Sequence, residues 1–521
     1  MNVKRRLRPA IILLFAILAG AAGRLEAQGR PSAPPEYKEI MAAFQMTAPA
    51  LRLKELERIL AAYPKTRYKE AIEAGILESK VTLAETLDAV IALQKDFLAG
   101  AQGSSRLQKP VAAAVQLLNH PRLESFDHTR VLDIALAYRG AALRASEDPA
   151  SYEDIPADQR DFLKASIRSA IELLTARAYL NAGDADKAMA LIEAYKKSGG
   201  ATGGNYYYVL GGALESTGKP AEAADAYLAA AAEDYLDAAD KAKALYTKVH
   251  GSADGFEAAR AAKLKALPFR PEPFRAPAGW KGKAVLAELF TGSECPPCVG
   301  ADLAFDGLVE TIPGRYLAVL VYHLPIPRPD PMMNPATAVR AGAYGVSSTP
   351  TVIIDGADRS VGGGGRGAAE GKFLQYRSVV EPLLAAAPEI VLKAVASLAA
   401  DRVKVVYDFN TTVPGADYLL ALVQAEQEHK GSNGVAFHKM VVRDITVLDP
   451  AAPRTATFDL AASEKATDAY LSEFAKTYTR IPGFTWEVRR NAIARQGLKV
   501  VFFVQEKSTG QVLNAVVADV K

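Results

Sequence analysis

The spacing of hydrophobic and polar positions changes character along the chain, and each change predicts a different architecture. From Glu36 to about Lys265 the pattern is helical, with Leu51, Leu53, Leu56, Ile59 and Leu60 as a typical run. Tyr63-Pro64 and Lys109-Pro110 punctuate it, and Pro31 to Pro35 form a short leader. Residues 29–265 are therefore expected to be an α-helical region. Leu267 to Gly279 carries four prolines, so 266–282 reads as a semi-rigid linker. Over 283–388 strands and helices alternate. Ala284–Phe290 is an apolar run of strand length broken only by Glu288, and Tyr316–Leu324 is a second. Asn334–Tyr344 is a short helix, Arg359–Val361 an edge strand and Lys372–Leu384 a last helix. From Glu389 onward the period is that of strands. Candidates are Glu389–Leu398, Val403–Phe409, Tyr418–Glu426, Phe437–Leu448, Thr455–Leu460, Leu498–Gln505 and Val512–Val520, with a helix over Ser463–Tyr478. The chain is expected to be multidomain: helical, then α/β, then a C-terminal β-sandwich over 389–521.

Inside the helical region two units recur at an offset of 35 residues, within about 169–235. Asn181 to Ala188 aligns with Ser216 to Ala223. Tyr207, Leu210, Gly211, Gly218, Ala223, Tyr227 and Ala230 resemble the tetratricopeptide repeat in type and spacing. Such arrays present a surface to a protein partner, and the alternative is that these helices only dock on the rest of the chain. The many strands of 389–521 suggest a sandwich of immunoglobulin-like type.

Composition narrows the function classes. Residues 1–28 look like a secretory signal peptide. Lys4, Arg5, Arg6 and Arg8 precede an apolar Ile11–Ala22 stretch too short for a confident span. The expected location is periplasmic or extracellular, with no transmembrane helix in the mature chain. Residues 1–28 hold five basic residues and one acid, so removing them takes the formal charge from +3 to −1. That argues against nucleic acid as a main partner. Export favours disulfides, yet the chain has two cysteines only. A bridge between them closes a tiny loop, which constrains little chain entropy, so stability is a poor reason for it.

Those cysteines carry the chemistry. Thr291 to Glu294 is turn sequence, Cys295-Pro296-Pro297-Cys298 follows, and a helix can start at Pro296 because proline fits the first turn. Both sulfurs then lie where a strand meets a helix N-terminus, a place that favours a thiolate. Gly345-Val346-Ser347-Ser348-Thr349-Pro350-Thr351-Val352-Ile353-Ile354-Asp355-Gly356 follows downstream. Together these stretches resemble the thioredoxin superfamily over 283–388. Opening on Glu288, Phe290, Thr291 and Gly292, they are similar to secreted bacterial thioredoxin-like proteins.

The resemblance implies Cys295 as nucleophile and Cys298 as resolving cysteine, a redox-active disulfide when joined. It implies a cis Pro350, with Thr349 offering its backbone to an extended substrate peptide. It also implies Glu288 as a buried proton acceptor for the resolving cysteine; the plain alternative is a polar strand edge. Glu294 stands where the family keeps a tryptophan. Zinc would need two further ligands, and His323 is the only recruit, so no metal or other cofactor is expected. Gly362 to Gly367 matches a dinucleotide fingerprint only trivially and reads as a flexible turn, with Val361-Gly362 shaping the rim of the site. The expected function is an exported thiol–disulfide oxidoreductase, reductase or isomerase, acting on protein disulfides with an outside redox partner. The alternative is a secreted binding scaffold whose thioredoxin-like domain is non-catalytic.

Overall fold

In the computed structural model, residues 35–521 are described except 67, 199, 201, 234 and 480–482. The signal-like stretch 1–28 and the prolines at 31 and 34 lie outside the described residues. Two compact units divide the chain at Glu257/Ala258.

The first unit is helical. Its α-helices are α1 (Pro35–Gln45), α2 (Pro49–Ala62), α3 (Lys69–Leu83), α4 (Leu87–Leu98), α5 (Ser105–Leu118), α6 (His128–Glu147), α7 (Ala157–Asn181), α8 (Ala185–Lys197), α9 (Gly204–Ser216), α10 (Pro220–Ala231) and α11 (Ala238–His250). The 35-residue repeat has a structural counterpart. α7 turns into α8, and α9 into α10, through Gly183 (φ 84°) and Gly218 (φ 77°). Small residues let the second pair close, because the Tyr227 ring packs on Gly211, where a Cβ would come within 2.9 Å of it. α12 (Phe256–Lys265) follows.

The second unit is a mixed α/β unit built on one eight-stranded sheet. Its strands are β1 (Val285–Thr291), β2 (Leu317–His323), β3 (Thr351–Ile354), β4 (Asp358–Val361), β7 (Ala416–Glu428), β8 (Phe437–Leu448), β10 (Leu498–Glu506) and β11 (Val512–Asp519). The order is β11-β10-β7-β8-β2-β1-β3-β4. β1 and β2 are parallel, while β3 and β4 run antiparallel. β5 (Leu392–Ala399), β6 (Arg402–Phe409) and β9 (Thr455–Asp459) form a separate three-stranded sheet. The helices are α13 (Val299–Thr311), α14 (Pro335–Ala343), α15 (Ala369–Leu383) and α16 (Leu460–Thr477).

The strands expected after 389 thus do not pack only on one another. Alternate residues of β7 and β10 explain why. Leu419, Ala421, Val423, Val501 and Phe503 join the same core as β1 and β2. Tyr418, Leu420, Leu422, Val500 and Phe502 join the core shared with β5 and β6. Buried on both faces, these strands are near-continuous apolar runs, whereas β6 alternates buried and exposed. A sheet continues past residue 388 because β8 pairs with β2 at Val321 and Val441. The proline-rich stretch is also tied down: Phe269 packs on Phe373, and Phe274 and Trp280 pack on Tyr316.

Candidate functional site

Cys295 and Cys298 form a disulfide, with an S–S distance of 2.13 Å. Pro296 and Pro297 offer no N–H, so the first helical bond is Cys298 N–H to Cys295 O at 3.0 Å. Pro296–Cys298 is accordingly a 3₁₀ turn, and α13 starts at Val299, three residues later than the sequence suggests. Thr349-Pro350 is a cis peptide. Its residues abut the first sulfur: Cys295 Sγ is 3.7 Å from Thr349 O and 3.4 Å from Thr349 Oγ1. The sequence reading thus brings Cys295, Cys298, Thr349 and Pro350 into one place.

The glycine run 362–365 belongs to that place too. Gly364 N–H donates to Pro297 O at 2.7 Å, and Gly362 N–H to Pro350 O at 3.0 Å. A Cβ at Gly363 would lie 2.2 Å from Pro297 O and 2.9 Å from Pro350 Cγ. Close backbone approach to the cysteine turn accounts for the glycine at 363.

Exposure differs from expectation. A sulfur at a helix tip should be accessible, but Cys295 is 0 % exposed, as is Cys298. The hairpin loop between β7 and β8 is pinned to the turn that immediately precedes Cys295. Asn433 N–H donates to Ser293 O at 3.0 Å, Asn433 Nδ2 to Gly292 O at 3.2 Å, and Ser432 N–H to Glu294 Oε1 at 3.2 Å. Beside Glu294 lies an open groove of about 1320 Å³, lined among others by Arg328, Ser432, Phe484, Trp486 and Arg490.

Glu288 is fully buried, and its surroundings are those of an ion pair. Arg340 Nε donates to Oε1 at 2.7 Å and Nη2 to Oε2 at 2.8 Å. Tyr322 OH donates to Oε1 at 2.8 Å and Tyr344 OH to Oε2 at 2.6 Å. Arg340 Nη1 reaches Gln505 Oε1 on β10 at 2.7 Å. Burial, and then the adjacent carboxylate, push both phenols upward in pKa. Glu288 is neither at a polar edge nor short of donors.

On the opposite face is a group of buried titratable side chains that sequence reading passed over. Asp302 and Asp306 sit on α13, one and two turns past Cys298. Burial pushes each carboxyl up to about 7. His323 Nδ1 lies 3.0 Å from Asp330 Oδ2, which also accepts from Ser293 N–H at 2.6 Å. Burial would raise Asp330, but His323 and the N–H groups of Met332 and Ser293 outweigh it and hold the carboxyl down at about 2. His438, buried beside His323, is pushed down to about 3 by desolvation and then by its neighbour. Asp302 Oδ2, His323 Nε2 and Thr291 Oγ1 have no hydrogen-bond partner. The signal available in sequence was the spacing Cys298, Asp302, Asp306, Glu310, every fourth residue along one helix.

Comparison of the chain with known protein families, with characterised proteins and with solved structures yields no match.

Proposed function

We propose that the unit 258–521 is a thioredoxin-like thiol–disulfide oxidoreductase, exported, acting on protein disulfides as reductase or isomerase. The observation that carries this reading is the placement of the Cys295–Cys298 pair. It lies at the β1-to-α13 junction with Thr349 against the Cys295 sulfur. The strand set β2-β1-β3-β4, flanked by α13 and α15, agrees with it. In the reduced protein the Cys295 thiolate attacks a substrate disulfide, and Cys298 resolves the mixed disulfide. A dithiol donor returns the pair to the reduced state. The groove beside Glu294 has room for a polypeptide segment. Export rests on the signal-like 1–28. Among the described residues no helix is long and apolar enough to cross a membrane. The recurring glycine turns of α7–α10 support a tetratricopeptide-like reading, and with it a protein partner on the helical unit. The facing sheets of 389–521 support a sandwich reading, shared with the α/β sheet rather than free-standing.

The test is insulin reduction and thiol trapping on the full chain, against Cys295→Ser and Cys298→Ser. A Cys298→Ser protein should accumulate mixed disulfides that mass spectrometry can identify. One observation favours a second reading. With Cys295 fully covered, the disulfide could brace a binding scaffold and never exchange. Wild-type activity no greater than the serine variants' would establish that reading instead.

A further inference from the structure

We propose that Asp302 is the proton acceptor for the Cys298 thiol, which caps the N-terminus of α13, and that the stripe Asp302, Asp306, Glu310 of α13 conducts that proton to solvent. The proposal rests on the oxidoreductase reading above and names the proton chemistry inside it. Positions four apart on a helix share a face, with Cβ atoms roughly 5–6 Å apart. Helical side chains lean toward the N-terminus, so Asp302 leans toward Cys298. The path runs from a sulfur with no exposure, through Asp302 and Asp306 at 8 % and 9 %, to the exposed Glu310. Glu310 is paired with Lys439 Nζ at 2.6 Å. Between the two aspartates and β8 is a cavity of about 10 Å³, lined by Asp302, Asp306, His438 and Lys439, about the room one water requires.

The groups around Asp302 leave it able to take a proton. Thr291 on β1 and His323 on β2 face it and favour its anion, the first through its hydroxyl and the second through its charge, but burial outweighs both. Asp330 opposes its ionisation. Tyr376 on α15 faces it with a phenol that has no partner. His438 and Lys439 close the cavity from β8. No cation is bonded to Asp302, and one carboxylate oxygen is unpartnered at 8 % exposure. Burial raises its carboxyl to about 7, where it can accept and release a proton near neutrality. Glu288, the acid that the family resemblance nominates, is instead held by four donors on the other face.

Resolution begins from the mixed disulfide. Cys295 is bonded to a substrate sulfur. Asp302 takes the Cys298 proton, and the Cys298 thiolate attacks Cys295 Sγ. The bond from Cys295 to the substrate sulfur breaks, and its electron pair leaves on the substrate thiolate. The protein pair is oxidised by two electrons, the substrate is reduced by two, and the proton moves by Asp306 to the Glu310–Lys439 rim.

The test uses the reduced full chain and dithiobis-nitrobenzoate, a small aromatic disulfide that needs no protein-binding surface. Attack by Cys295 releases one coloured thiolate, and resolution by Cys298 releases a second. In wild type the second phase should rise with pH through about 7 and level off, following the Asp302 carboxylate. In Asp302→Asn it should fall roughly 100-fold at that pH and climb continuously toward alkaline pH. Asp302→Glu should recover part of the rate, and Asp306→Asn should slow the phase less without moving the profile. A second-phase profile unchanged in Asp302→Asn, or no second release from wild type, overturns the relay. A wild type that resolves the probe with the expected profile but leaves insulin oxidised keeps the relay and sinks the protein-disulfide reading. Insulin reduction with an unmoved Asp302→Asn profile does the reverse.

Discussion

β1 separates two buried carboxylates that have opposite company. On one face Glu288 has both oxygens engaged, by Arg340 twice and by two tyrosines. On the other, Asp302 has no cation bonded to it, and one of its oxygens lies outside hydrogen-bond geometry with every neighbour. Both are buried acids within reach of the same strand, and neither burial nor residue type tells them apart. The donors do. A carboxylate with every lone pair matched to a cation or phenol ties elements together; here it joins β1, α14 and, through Gln505, β10. A carboxylate left short of donors gains from taking a proton, and so keeps a chemical capacity.

The largest effect should come from breaking the satisfied side. Arg340→Met breaks a buried ion pair and leaves the Glu288 carboxyl with only phenols for company, which should destabilise the second unit by about 3–5 kcal/mol. The chain's two tryptophans, Trp280 and Trp486, both lie in that unit, so denaturant unfolding followed by fluorescence reads it selectively. Adding Glu288→Leu to Arg340→Met should recover most of the loss, because the pair is then replaced by apolar volume. A single-variant loss under about 1 kcal/mol would show that the ion pair is not the brace described, and the contrast between the faces would fail.

The unsatisfied side should respond with the opposite sign. The folded Asp302 carboxyl is raised to about 7 from an unfolded value near 3.9, so the native state holds the proton more tightly. Its contribution is intact below about pH 4 and is lost as pH climbs through 7. Asp302→Asn removes the buried charge but keeps a polar group. At pH 8 it should therefore stabilise the protein by about 1–2 kcal/mol, and by nearly nothing at pH 4. Thermal melts of both proteins at the two pH values decide it. Destabilisation at pH 8 would mean that Asp302 is as well matched as Glu288.

A smaller effect concerns access to the first sulfur. Asn433 Nδ2 donates to Gly292 O, and its Oδ1 accepts from Val435 N–H, so its side chain helps fix the loop over the 292–294 turn. Asn433→Ala should loosen that cover by about 1 kcal/mol and speed iodoacetamide alkylation of reduced Cys295 roughly fivefold. Cys298, whose sulfur is covered by its own turn, should gain much less. Equal acceleration at both cysteines would place the cover elsewhere.

Much of the second unit was legible in its sequence, because strand periodicity is a local property. Phe437–Leu448 is a strand over its full expected length, and the helix expected at 463–478 spans Leu460–Thr477. The cysteine turn and Thr349-Pro350 were legible as a pair, since their residue types are rare in combination. Which sheet a strand joins was not legible. β7 and β8 read the same whether they pack on β5 or extend the sheet from β2, and only tertiary pairing decides. Nor could sequence show that Arg340, 52 residues downstream, would saturate Glu288, or that a hairpin near Asn433 would be pinned to the turn before Cys295. The acid stripe on α13 was present as a four-residue period, but a period gives a face and not the absence of donors on it.

The finest distinction between the two sides is electrical, at Cys295 itself. The potential of such a pair follows how firmly the fold holds the first thiolate. Pro296 and Pro297 supply no N–H. The Cys298 N–H is engaged with Cys295 O, and the Gly300 N–H with Gly364 O. The Thr349 hydroxyl, 3.4 Å from the sulfur, has its one proton in competition with Ile326 O at 2.8 Å, and Glu294 adds a negative charge one residue away. A weakly held thiolate implies a potential toward the reducing end, near the roughly −270 mV of thioredoxin and not the roughly −120 mV of a strong oxidant. Glu294→Gln should raise it by only about 10 mV, because the side chain is partly solvated and its interaction with the thiolate is screened. Equilibration in glutathione buffers measures both quantities. A wild-type potential above about −150 mV would show that donors other than those counted here hold the thiolate. A fall in potential on removing the Glu294 charge would show that its carboxylate acts on Cys295 through the Ser432 loop rather than through space.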